Sequence, residues 1–126
     1  MIILDTHVVI WLYEGLTHKF PKATQKIIDE HDLKISAASF LELQFLYEIN
    51  RITKDASEIT DDLHLRVGLQ IADSNLALIA KQAQPLHWTR DPFDRLIVAD
   101  ALLLQCQLIT KDRTILENCE QAIWKE

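Results

Sequence analysis

Short apolar runs alternate along this chain with longer segments of helical period, and that alternation restricts the fold more than any other feature. MIILD at 1–5, LKIS at 33–36, GLQIA at 68–72 and QLIT at 107–110 read as strands, and AIW at 122–124 as a fifth. Short runs with little polar alternation suit strands buried on both faces, as in a parallel sheet. Helical segments lie around them: HVVIWLY at 7–13, PKATQKIIDEH at 21–31, SFLELQFLYEIN at 39–50, residues 57–67, SNLALIAKQA at 74–83 and DPFDRLIVADALLLQC at 91–106. Pro21 reads as the first residue of its helix, Ser74 and Asp91 as caps, Pro92 as a first helical residue, and Pro85 as a stop. The pattern predicts an α/β sandwich around a parallel sheet of four or five strands with right-handed crossovers. At 126 residues, 48% of them apolar, the chain is expected to be a single domain, 1–126, with its own core.

Composition removes several classes. Two Gly and three Pro are too few for a collagenous or low-complexity chain. No apolar run approaches the roughly 18 residues that cross a membrane. Asp5 and His7 interrupt the first apolar stretch, and no basic segment precedes it, so no secretory signal is expected. Cys106 and Cys119 are too few for a disulfide scaffold, which points to a reduced, cytoplasmic protein. Thirteen basic against nineteen acidic residues give −6, which argues against a protein that coats DNA. A nuclease is compatible with that charge, because bound metal ions reset the field of its site.

The acids carry the functional reading. Parallel sheets place their sites beyond the carboxyl ends of the strands. Asp5 closes the first strand, and Asp112 follows LITK. Each also suits a local role, Asp5 as a helix cap and Asp112 as a turn residue. Like charges gathered at strand ends repel unless a cation or a shared proton compensates. Glu42 lies among Phe40, Leu41, Leu43, Phe45 and Leu46, and a buried charge needs a partner or a metal. Glu48 falls about 120° away from it, so the two define no polar stripe. Asp91 and Asp94 both suit the first turn of a helix, and Asp94 is also placed to reach a strand-end cleft. Asp100, about 600° further round, reads as a solvated position. Asp5, Glu42, Asp94 and Asp112 thus come from four elements and offer only oxygen, which suits Mg²⁺ or Mn²⁺ rather than zinc. His7, His18, His31, His64 and His87 show no ligand spacing, and His7 is expected to pack or face solvent. With Gly15 and Gly68 as the only glycines, no phosphate-loop or dinucleotide motif is present. Arg90, Arg95, Lys111 and Arg113 flank the acids, either as surface ion pairs or as contacts to a phosphate backbone. Trp88 is expected to pack rather than to stack on a base.

MIILDTHVVIWL at the start, SAASFLEL at 36–43, RDPFDRLIVADAL at 90–102 and LITKDRTI at 108–115 together resemble the PIN-domain ribonucleases. Among these they are most similar to the VapC-type toxins of bacterial toxin–antitoxin pairs. That subgroup often has Trp before the second acid, where this chain has Leu41. The resemblance implies a PIN-like three-layer α/β/α sandwich. It also implies a Mg²⁺-dependent endoribonuclease acting on RNA, a homodimer, and a small antitoxin partner that holds it inactive. Residue by residue, the family's acidic quartet falls on Asp5, Glu42, Asp94 and Asp112. Thr6 matches a supporting hydroxyl and Asp91 an accessory acid. Two other readings stay open. A receiver-type phosphate-accepting domain shares length, acidity and strand-end acids, although the first strand here ends in a single Asp, Asp5. A non-catalytic PIN-like binding module would keep the same fold.

Overall fold

A computed structural model describes residues 1–126. Five strands, β1 (Ile2–Leu4), β2 (Leu33–Ile35), β3 (Gln70–Ile71), β4 (Gln107–Ile109) and β5 (Ala122–Ile123), form one sheet in the order β3-β2-β1-β4-β5. All neighbours are parallel. β1 is central, with Ile2 opposite Leu33 on one side and Gln107 on the other. The chain winds outward from β1 through β2 to β3, then returns to the other flank of β1 as β4. Winding reverses between β1 and β4, and the crevice beyond their carboxyl ends is where such sheets bind ligands. Receiver-type sheets have the order 2-1-3-4-5, which this chain does not share.

Seven helices cover the sheet: α1 (Thr6–Glu14), α2 (Lys22–Glu30), α3 (Ala37–Glu48), α4 (Ala56–Val67), α5 (Leu76–Ala83), α6 (Pro92–Leu104) and α7 (Arg113–Asn118), with a 3-10 turn at Thr17–Lys19. Side chains alternate along each strand, so the central strands β1 and β4 feed two cores. Ile2 and Leu4 of β1, Leu33 and Ile35 of β2 and Ile109 of β4 meet Val8, Val9, Ile28, Leu43, Ile59 and Leu63 from α1 to α4. On the other face Ile3 and Leu108 meet Ile97, Val98, Ala101 and Ile115 from α6 and α7. The result is the expected three-layer sandwich. Both glycines serve as left-handed helix ends, Gly15 (φ 69°) after α1 and Gly68 (φ 72°) after α4.

Some local expectations are corrected. Pro21 is the cap of α2 rather than its first residue. α3 starts two residues earlier than read, because the Ser36 hydroxyl accepts from the Ala38 amide. The cap of α5 is Asn75, which accepts from Leu78, and not Ser74. Ser74 is freed to donate to Asp100 at 2.6 Å. Asp100 is therefore not a solvated position: it is fully buried, with Oδ1 bonded to Ser74 and Oδ2 without a partner. α6 is covered by α5 and α3 as well as by the sheet, so residues Ile97–Ala101 are all buried. α7 was not visible in the sequence, since six residues show too little of a helical period.

Candidate functional site

The site is built at the reversal point. β1 ends at Leu4, and the Asp5 amide still donates to the Ile109 carbonyl of β4, which pins the two strand ends together. Asp5 then caps α1: Oδ1 accepts from the Thr6 amide at 2.8 Å. Its Oδ2 accepts from the Thr110 hydroxyl at 2.6 Å. Thr110 also uses Oγ1 to receive the Asp112 amide at 3.0 Å, so one buried hydroxyl links the two strand-end acids. Asp112 caps α7 through the Ile115 amide at 2.9 Å. Thr6 is fully buried and donates to Glu42 Oε1 at 2.5 Å, which fixes the acid on α3 relative to the start of α1. Asp91 caps α6 by accepting from Phe93 at 2.8 Å and Asp94 at 3.4 Å.

Asp5, Glu42, Asp91, Asp94 and Asp112 line one cavity of about 340 Å³, together with His7, Trp11 and Lys111. All four acids singled out in the sequence are thus in one place, and Asp91 is both a helix cap and a wall of the cavity. Lys111 is the one flanking cation that reaches this lining. Arg95 instead donates to the Ala83 and Gln84 carbonyls at 3.2 and 2.9 Å, closing the end of α5. Arg90 donates to the His87 carbonyl at 3.2 Å and lines a different cavity with Arg95. Arg113 is exposed in the first residue of α7. Trp88 packs beneath α6, as expected. Thr110, His7 and Trp11 belong to the site and were not singled out for it. Thr110 had one signal, a hydroxyl two residues before Asp112 at the end of an apolar run.

The electrostatics are those of crowded acids. Burial pushes the Asp5 carboxyl up, against the pull of its bonds from Thr110 and Thr6. Glu42 is also raised, first by burial, with Asp5 and Asp91 adding repulsion against the Thr6 bond. Asp94 is pushed up to about 7, first by burial and then by Asp91, Asp5, Asp112 and Glu42. Such a cluster favours either a held proton or a cation. As the side chains stand, no three His, Cys, Asp or Glu groups are gathered closely enough to cage an ion. Mg²⁺ keeps several of its waters when bound and so needs no such closed cage. The oxygen-only donor set points the same way.

Residues 2–120 match the family model of the PIN domain. The chain is 30% identical over 115 residues to the ribonuclease VapC22 of Mycobacterium tuberculosis, covering 90% of this chain and 88% of the relative. Its fold resembles that in the crystal structure of VapBC2 from Rickettsia felis bound to a DNA fragment from its promoter, with a TM-score of 0.69 at 18% identity, over 99% of this chain and 100% of the other. The chain belongs to the PIN-domain family, as a member of its VapC type.

Proposed function

We propose that the chain is a divalent-metal-dependent endoribonuclease, one catalytic unit over residues 1–126, and the toxin of a toxin–antitoxin pair. The carrying observation is the convergence of Asp5, Glu42, Asp94 and Asp112, from four elements, on one cavity at the reversal point of the sheet. Asp5, Asp94 and Asp112 would hold Mg²⁺ or Mn²⁺, with Glu42 at its edge. Bound there, the ion supplies a more acidic water and neutralises charge on the phosphoryl oxygens. The chain's own part is positioning. Thr110 and the Thr6 amide fix both oxygens of Asp5. Thr6 aims Glu42, and Asp91 holds the first turn of α6 on which Asp94 sits. Lys111 is placed to contact an RNA phosphate, with Arg113 directly after the Asp112 cap.

The partners follow from surface and charge. Leu41, Phe45 and Ile49 lie at intervals of four along α3 and are 60%, 46% and 44% exposed. A stripe of this kind suits a second chain, and we read it as a homodimer contact. The acidic cavity suits an arginine-bearing segment of an antitoxin, since a guanidinium binds carboxylates bidentately. That VapBC2 is the structural counterpart supports this reading. No helix is long and apolar enough to cross a membrane, and a cytoplasmic site of action is proposed. The test is incubation of purified chain with mixed single-stranded RNA. Cleavage with Mg²⁺ and none with excess EDTA is the expected result; undiminished cleavage in EDTA would overturn the metal-dependent reading.

A further inference from the structure

The cavity has one wall that the acids do not explain. His7 and Trp11 are four residues apart, so both project from one side of α1, and both line the cavity. Their rings are 6.3 Å apart between centroids. His7 is exposed and Trp11 half-buried. Trp11 packs edge-on against Phe20 and Trp124, at 6.1 Å from each, which holds its ring rigidly. Over the ring, however, lies an exposed group: Lys19 Nζ stands 5.4 Å from its centroid. Lys111, also exposed and part of the cavity lining, stands 5.9 Å over the neighbouring Trp124. One side of the Trp11 ring is thus met by a surface lysine rather than by core.

Rigid aromatic rings flanked by cations are how proteins hold single strands: bases stack on the rings and the cations follow the backbone. The geometry points to a base-stacking step on α1, in which Trp11, with His7 beside it, holds an unpaired base next to the bond being cut, while Lys19 and Lys111 turn onto the adjacent phosphates. A base in a duplex is stacked on its neighbours and could not reach the ring, so the step selects single-stranded RNA or a loop. This inference rests on the ribonuclease reading and adds the residue that fixes the register of the strand on the acids.

A cycle between protein and substrate tests it. Short oligoribonucleotides are made with one nucleotide at a time, on each side of the cut, replaced by an abasic unit. Their kcat/KM is measured for the parent chain, Trp11→Leu and His7→Ala. The parent should lose about tenfold at one flanking position, the loss of a single stack. Trp11→Leu should cut the intact oligomer about tenfold less well, through KM, and be indifferent to the abasic unit at that position. Leucine keeps an apolar contact with Phe20 and Trp124. His7→Ala, outside the core, gives the same cycle in partial form should Trp11→Leu prove unstable. If both variants discriminate intact from abasic RNA as sharply as the parent, or the parent tolerates an abasic unit at every position, the stacking step is wrong and the nuclease reading survives. A parent chain that cuts no RNA overturns both.

Discussion

Asp5 and Asp91 each cap a helix, but their carboxylates sit in different surroundings. Asp91 is exposed, and its main bond is to the Phe93 amide at 2.8 Å. Asp91→Ala should cost about 1 kcal/mol, the usual worth of a cap, and lower the melting temperature by a few degrees while part of the activity remains. Thermal denaturation beside an RNA cleavage assay checks both halves, and an unchanged melting temperature would remove the capping role. Asp94, the third residue of α6, carries a pKa of about 7 against an ordinary 3.8, so between those values its folded form holds a proton that the unfolded chain has already released. Stability from this group is present below about pH 4 and is lost as pH rises to about 7. Asp5 and Glu42 are shifted in the same direction. In EDTA, the melting temperature should therefore fall between pH 5 and 8, and Asp94→Asn should flatten the slope. A parent chain whose melting temperature is level across that range would contradict the crowded-acid account.

Among the elements, α3 does two separate tasks. Its inner residue Leu43 is fully buried in the core, and Glu42 beside it meets Thr6. The outer stripe of Leu41, Phe45 and Ile49 has no partner within the chain's core, apart from the 6.0 Å pairing of Phe45 with Phe93. Phe45→Glu should turn a dimer into a monomer in light scattering and leave the fold intact. A parent chain that is already monomeric at micromolar concentration would refute the dimer. The sequence disclosed this helix, the strands and the four acids for physical reasons. Buried parallel strands are continuous apolar runs, and an acid among five apolar neighbours is conspicuous. It did not disclose contacts set by packing between distant elements. Asp100 faces inward because α5 and α3 close over α6, and helical geometry within α6 alone says nothing of that. Arg95 looked like a phosphate ligand beside Asp94, yet the end of α5 lies near enough to take its guanidinium. Ser74 and Asn75 are equally good caps by composition, and Asp100 decides between them by engaging Ser74.

For the whole molecule, topology accounts for the site better than any one motif does. The order β3-β2-β1-β4-β5 brings the ends of β1 and β4 side by side, although Asp5 and Asp112 are far apart in sequence. Thr110 then ties the two acids together, and α3 and α6 deliver Glu42 and Asp94 to the same crevice. The chain carries a net charge of −6 and gathers five acids on one cavity, so under the proposed function a cation should bind before an RNA phosphate arrives. Asp5 is the hinge of this account, being nearly buried and bonded to both Thr6 and Thr110. The most direct measurement is the rate of RNA cleavage in Mg²⁺ by the parent chain and by Asp5→Asn, with thermal denaturation of both. The account predicts a loss of at least about a hundredfold, in keeping with the several kcal/mol that metal-assisted catalysis supplies, and a melting temperature at neutral pH no lower than the parent's. Cleavage by Asp5→Asn at the parental rate would contradict it.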